Sequence, residues 1–290
     1  MSLIEKINDL AHWMFRPLIR KNVPIVCIVN LNGVIGSVGF GRKGINLNDL
    51  ESPLKRAFSK KGVDAVVLKI NSPGGSPVQS EMISRRIQQL SEEKGVPVFS
   101  FIEDLAASGG YWLACSADEI YVSSMSIVGS IGVISASFGF NQLIDKIGIE
   151  RRIYARGKNK SMLDPFRPED PEHVEKLLTL QEDIHQSFKE FVKDRRKDKL
   201  NDTDENLFNG DIWTGNQAKD LGLVDEIGDM RSVVQEKYGP NTKFVEIPLK
   251  SGLIQKTLSG TYFSESKEVK AIDELLSSIE ERLMWSKYNL

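Results

Sequence analysis

From residue 24 onward, short β-branched apolar runs alternate with stretches in which apolar residues recur every three or four positions. The runs Pro24–Leu31, Asp64–Ile70, Val96–Ile102, Glu119–Val122, Ile127–Ile134 and Arg151–Ala155 read as strands, with Lys243–Ile247 as one more. Amphipathic helices are predicted between them, near Leu47–Ser59, Val78–Glu93, Gly109–Ala117 and Phe138–Ile147. Strands spaced by helices imply βαβ units with parallel pairing, hence an α/β fold. Residues 169–199 predict one long helix whose stripe is Val174, Leu177, Leu178, Ile184, Phe188, Phe191 and Val192. That stripe is either core or a subunit contact, and Lys193–Lys199 reads as its solvated basic end. Thr214-Gly215-Asn216-Gln217 has capping-box spacing and opens a short helix that Gly222 closes.

The two ends follow other patterns, so the chain divides into residues 1–22, a main domain over 23–248 and a tail over 249–290. In the first segment Leu3, Ile4, Ile7, Leu10, Ala11, Met14 and Phe15 recur at helical spacing, with Trp13 beside them and Arg16, Arg20 and Lys21 following. Such a helix packs on the domain or a neighbouring subunit, or lies on an anionic membrane surface. The tail carries glycine and serine and then a charged amphipathic helix from Ser266 to about Trp285. Apolar runs such as Ile25–Val29 and Ala65–Leu68 are strand-sized and far too short to span a bilayer.

Composition narrows the class. With 290 residues, 40% of them hydrophobic, the chain can bury a substantial core. A net charge of −2 with scattered basic residues gives no nucleic-acid footprint. Cys27 and Cys115 sit in apolar runs and read as small buried thiols, which suits a reducing, cytoplasmic setting with peripheral membrane contact through residues 1–22. No metal or cofactor motif is evident.

Candidate chemistry lies at four places. Ala106-Ala107-Ser108-Gly109-Gly110-Tyr111-Trp112 puts a serine at the start of an apolar helix, where free N–H groups favour a developing alkoxide; the plainer alternative is a helix cap. Asn71-Ser72-Pro73-Gly74-Gly75 follows an apolar strand and suits a tight turn with positive φ at Gly74, aiming the Gly75 N–H into a crevice as an oxyanion donor. Gly157-Lys158-Asn159-Lys160-Ser161 offers a lysine base, sheltered by Met162, Leu163, Pro165 and Phe166, and spacing does not choose between Lys158 and Lys160. A lysine acts as base near neutrality only if burial lowers its pKa by about three units, roughly 4 kcal/mol. In Val128-Gly129-Ser130-Ile131-Gly132-Val133, Ser130 can orient a neutral amine, while the backbone of Gly129, Ile131 and Gly132 can pair with an extended peptide. The only histidines are His12, His173 and His185, none at a predicted strand end, which weakens a Ser-His-Asp reading. Glu103 or Asp104 would serve a carboxylate-based acyl-CoA enzyme, and a non-catalytic membrane scaffold is the remaining alternative.

Taken in order, these motifs resemble the signal peptide peptidase A family of Ser/Lys-dyad proteases. Trp213-Thr214-Gly215-Asn216-Gln217-Ala218 and Leu221-Gly222-Leu223-Val224-Asp225 are also similar to it, and the resemblance covers about residues 24–235. It implies a Clp protease/crotonase-like fold of repeated β-β-α units with a helical extension for oligomerisation. It also implies Ser108 as nucleophile, Lys160 rather than Lys158 as general base, and Ser130 as the serine holding that lysine. Gly75 and Gly109 would be the oxyanion donors. Members are membrane-associated homo-oligomers acting on signal-peptide remnants, and half-length members share each site between adjacent subunits. One serine motif and one lysine motif match that arrangement here. Members commonly carry an N-terminal transmembrane anchor, whereas residues 1–22 show only the amphipathic pattern.

Overall fold

A computed structural model of the chain describes residues 23–38, 42–249, 285, 286 and 288. The expected helix over residues 1–22 and most of the expected tail lie outside the described residues.

The described strands are β1 (Ile25–Asn32), β2 (Ser37–Val38), β3 (Arg42–Lys43), β4 (Val63–Ser72), β5 (Val98–Ala107), β6 (Glu119–Val122), β7 (Ile127–Gly129), β8 (Ile212–Thr214), β9 (Glu226–Ile227) and β10 (Lys243–Glu246). The helices are α1 (Leu47–Phe58), α2 (Pro77–Lys94), α3 (Gly109–Ala114), α4 (Asn141–Lys146), α5 (Pro171–Arg196), α6 (Asp204–Leu207), α7 (Gly215–Asp220) and α8 (Met230–Tyr238). Eight strands form one sheet in the order β10-β1-β4-β5-β6-β9, with β7 pairing β5 and β8 pairing β7. Every pairing in this sheet is parallel except β7 with β8, and β2 and β3 form a separate antiparallel pair. The result is the mixed α/β fold that the strand–helix alternation predicts.

Alternation along the strands divides the core between the two sheet faces. Cys27, Val29, Leu31, Val66, Leu68, Ile70, Val98, Ile102 and Ala106 face the helices α1, α2 and α3. Val26, Ile28, Ala65, Val67, Phe99, Phe101 and Tyr121 face α8 through Met230, Val233 and Val234. Such two-sided burial explains why β4 and β5 read as continuous apolar runs rather than as alternating ones. Local chemistry sets the helix ends. Ser76 caps α2 with Pro77 in its first turn, Gly95 ends it at φ 61°, and Thr214 and Gln217 form the expected capping box of α7.

Several expectations change. The run from Ile127 stops at Gly129, because Gly129 and Ser130 take φ of 114° and 52° and leave the ladder. Arg151–Ala155 forms no strand, since no strand lies beside it to complete a ladder. The helix after Gly109 ends at Ala114, and the one expected from Phe138 is confined to α4. The end of α5 is not a solvated basic face. Arg196 is buried against Asp225 at 2.8 Å, and Arg195 donates to the carbonyls of Cys115 at 2.8 Å and Ala117 at 2.9 Å. Its side chain lies over the C-terminal end of α3, whose last carbonyls lack intrahelical donors.

Candidate active site

Strand β5 runs without a loop into α3, and Ser108 makes the switch at φ 51°, ψ −122°. This region costs a non-glycine residue about 1–3 kcal/mol, so the surroundings must enforce it. They do so by backbone: the Ser108 N–H donates to the Gly129 carbonyl at 2.7 Å, and the Ser108 carbonyl accepts from the Trp112 N–H at 3.0 Å. Ser108 occupies the cap position of α3, yet its side chain makes no capping hydrogen bond. Half-buried and unengaged, the hydroxyl is not spent on the helix.

The glycines around it leave no room for a side chain. A Cβ on Gly74 would lie 2.8 Å from the Ser108 Cβ and 2.9 Å from the Gly109 nitrogen. One on Gly109 would meet Ser80 Oγ at 2.4 Å, and one on Gly110 would meet the Ser72 carbonyl oxygen at 2.5 Å. The turn Ser72–Gly75 and the start of α3 therefore touch backbone to backbone. Within the turn, the Gly74 N–H donates to Ser72 Oγ at 3.2 Å. The Ile35 N–H donates to the Gly74 carbonyl and the Ser76 N–H to the Ile35 carbonyl, both at 2.8 Å. In such a parallel bridge the residue between points its own N–H away from the partner strand, which frees the exposed Gly75 N–H toward the Gly109 side. A Cβ on Gly109 would lie 3.5 Å from that nitrogen.

Ser130 follows immediately. Ala107 pairs with Gly129 across β5 and β7, so Ser108 and Ser130 leave adjacent strands together. Ser130 is buried with φ 52°, and its N–H donates to the Asp211 carbonyl at 2.6 Å. Gly129 lies against Trp213, whose ring would be 2.5 Å from a Cβ there. Ile131 is buried in the core, its carbonyl facing His185 Nε2 at 3.2 Å, and Gly132 passes close to Gly210. Gly74, Gly75, Gly109, Gly129, Ser130, Ile131 and Gly132 thus gather at the C-terminal ends of β4, β5 and β7, where ligands collect in open α/β sheets.

The lysines lie elsewhere. Lys158 is tied to Glu172 at 2.7 Å, which also takes Lys176 at 2.9 Å. These hydrogen bonds hold the Glu172 carboxyl down at about 2 and raise the Lys158 ammonium above its ordinary range. Lys160 is exposed in a turn, and no hydrogen bond or ion pair joins it to Ser108 or Ser130 among the described residues. Its segment has a small cluster of its own: Phe140 lies 6.2 Å from Phe138 and 5.7 Å from Phe166, while Arg151 pairs with Asp164 at 3.2 Å.

Other candidates resolve clearly. His173 stands 3.9 Å from Asp170, and His185 braces Ile131; neither contacts Ser108, and His12 lies outside the described residues. Glu103 pairs with Lys69 at 2.8 Å, and Asp104 accepts from Asn71 at 2.9 Å, so both carboxylates are engaged away from the serine.

Residues 91–239 match the sequence pattern of Peptidase family S49. The chain belongs to this family. A putative protease of Methanocaldococcus jannaschii is 35% identical over 241 residues, covering 81% of this chain and 74% of its own. A putative signal peptide peptidase SppA of Enterococcus faecium is 32% identical over 207 residues, covering 69% and 59%. A Brucella abortus protein named Na(+)/H(+) antiporter NhaA is 47% identical over 270 residues, covering 91% of this chain and 36% of its own. The chain spans little more than a third of that relative's length.

The S49 match includes Ser108, Ser130 and Lys160 but begins after Asn71–Gly75, so the glycine turn enters the site through the fold. Membership also gives context to residues that patterning missed. Tyr111, two residues past Gly109, donates to the Leu223 carbonyl at 2.7 Å, and Trp112 stacks on Phe188 at 4.6 Å. Burial raises the Asp225 carboxyl, but hydrogen bonds from Arg196 and Lys199 and their charges outweigh it and hold the group below its usual range. α3 is thus pinned from below by α5 and the Leu221–Asp225 turn. The Thr214–Asp225 motifs were the available signal for this, without showing which groups they hold.

Proposed function

We propose that this chain is a serine endopeptidase using a Ser108/Lys160 dyad completed between copies of the chain. The observation that carries the reading is the strained Ser108 turn, with its hydroxyl unengaged beside the outward-facing Gly75 N–H and the start of α3. In the proposed reaction a neutral Lys160 amine takes the Ser108 proton as Oγ bonds to the peptide carbonyl carbon. The Gly75 and Gly109 N–H groups hold the oxyanion. The C–N bond then breaks, the ammonium returns its proton to the departing amine, and Lys160 activates the water that cleaves the acyl-enzyme.

Lys160 cannot be that base while it stands in solvent. Desolvation against a neighbouring copy would supply the needed shift, and Ser130 would orient the amine. In favour of such assembly, the lysine segment exposes Ile134, Phe138, Leu143, Ile147, Ile149 and Tyr154, and α5 exposes Leu178 and Leu180. Apolar surface on that scale commonly marks an interface. Peptides are the substrate class we favour, including signal peptides, as in the name of the Enterococcus relative. The Gly129 carbonyl, Ser130 N–H and Ile131 carbonyl already have partners, so the strand pairing expected along Gly129–Gly132 is not open there. Among the described residues no helix is long and apolar enough to cross a membrane; contact with lipid through residues 1–22 belongs to this proposal.

Labelling with a fluorophosphonate, together with hydrolysis of a fluorogenic peptide, tests the reading. The wild-type chain should be labelled and Ser108→Ala should not. A scaffold that keeps the fold would show neither labelling nor turnover. Mixed assemblies of Ser108→Ala and Lys160→Ala chains should regain activity that neither has alone; failure of that mixture would remove the shared site and leave a dyad within one chain.

A further inference from the structure

The odd-numbered residues of β5 face the sheet surface opposite α3, and that surface is covered in two pieces. Phe99 and Phe101 lie under α8, together with Val26, Ile28, Ala65 and Val67. A polar band follows, where Glu103 pairs with Lys69 and Asp104 with Asn71. Beyond it lie Leu105 and Ala107, both fully buried, with Ile127 of β7 beside them. Among the described residues their cover is Trp285 and Tyr288, which lie 36 and 39 positions after Leu249 and are joined by a 2.9 Å hydrogen bond from the Tyr288 N–H to the Trp285 carbonyl. Tyr288 is only 5% exposed.

This contact sits one residue from the nucleophile. Ala107 carries Ser108, and Ile127 lies two residues before Gly129, whose carbonyl fixes the Ser108 N–H. A strained turn holds its geometry only while the strands feeding it are packed on both faces. The α3 side is filled by the main core; among the described residues the other side is covered by Trp285 and Tyr288.

We infer that Trp285 and Tyr288 are positioning residues: together they brace the β5–β7 rung from behind and keep Ser108 in its reactive turn. Release of the brace would loosen the turn that carries Ser108 and its neighbours Gly109 and Gly129, so Trp285 and Tyr288 can act as a control point. The inference rests on the proteolytic reading for its catalytic consequence, but the mechanical part stands without it.

The experiment compares full-length Tyr288→Ala, Tyr288→Phe and Val234→Ala with the wild-type chain, well below every unfolding midpoint. Val234→Ala weakens the same sheet face under α8, away from the serine. Two readouts are used: hydrogen exchange of the Ser108 amide and the rate of fluorophosphonate labelling. Tyr288→Ala should speed exchange at Ser108 and slow labelling by on the order of ten- to a hundredfold, as expected for a misplaced reacting group. Tyr288→Phe, which keeps the ring over Leu105 and Ala107, should fall between Tyr288→Ala and wild type in both readouts, and Val234→Ala should lose stability with both readouts unchanged. A synthetic peptide covering residues 280–290 should partly restore labelling in Tyr288→Ala. Wild-type exchange at Ser108 in Tyr288→Ala, or equal effects from Val234→Ala, would overturn the brace. If the wild-type chain is not labelled at all, the proteolytic reading fails while the exchange measurement still decides the brace.

Discussion

Residues 98–130 and residues 133–168 adjoin in sequence but are held by different means. In the first, β5, α3, β6 and β7 are buried nearly throughout, glycines let backbones touch, and two serines take positive φ because neighbouring strands leave no alternative. In the second, one short helix, an aromatic trio and exposed ion pairs organise the segment, while large apolar side chains such as Tyr154, 93% exposed, face solvent. A nucleophile needs fixed geometry, which a core supplies. A lysine base needs desolvation, and a single copy of the segment does not provide it. The difference suggests that one half of the proposed dyad is complete on folding and the other only on assembly.

Substitutions can separate the two halves. Ser108→Ala should abolish peptide hydrolysis by roughly 10³-fold or more while leaving circular dichroism and oligomer size unchanged. Arg196→Ala should strike the framework, leaving the partly buried Asp225 with Lys199 alone at about 1–3 kcal/mol, read from urea unfolding. Tyr154→Glu or Ile134→Glu should lower oligomer size and activity together, with little change in the monomer's unfolding midpoint; full activity in a monomeric variant would break the contrast. Acid should act on the framework first. Because the folded Asp225 carboxyl is held below its unfolded value near 4, its stabilisation is complete above about pH 4 and fades as pH falls through the lowered value. The urea midpoint should therefore drop below pH 4, and Asp225→Asn should flatten that drop. The smallest effect belongs to Lys158→Ala: its pair with Glu172 is fully exposed and screened by solvent, so turnover should stay within about twofold, against near-total loss for Lys160→Ala.

How much of this was legible in the sequence follows the same division. Apolar runs placed β1, β4 and β6 to within about two residues, because two-sided burial demands uninterrupted apolar side chains; β5 was expected to end at Ile102 but continues through Glu103 and Asp104 to Ala107. The Asn71–Gly75 turn and the Ser108 motif were readable because tight backbone contact admits only glycine. Ile127–Ile134 and Arg151–Ala155 were not: β-branched residues fit a strand, but a strand also requires a neighbour to pair with, and that is a tertiary fact. Arg196 looked like part of a solvated basic run for a similar reason. Only the fold brings Asp225, 29 positions away, to its guanidinium. Spacing leaves Lys158 and Lys160 open, and what it could not show is the pairing of Lys158 with Glu172 in the first turn of α5.

The steric crowding at Gly74, Gly75, Gly109, Gly110 and Gly129 has a consequence for mutational libraries. A Cβ at any of these five would sit within 3 Å of neighbouring atoms, four of them meeting backbone or the nucleophile itself, whereas Gly33, Gly95 and Gly148 have open space around them. A saturation screen selecting only for soluble protein should already purge the first group. Such a map would mark the close backbone contacts around Ser108 together with those of Gly215 and Gly222, whose Cβ would meet the Ser123 and Lys199 carbonyls.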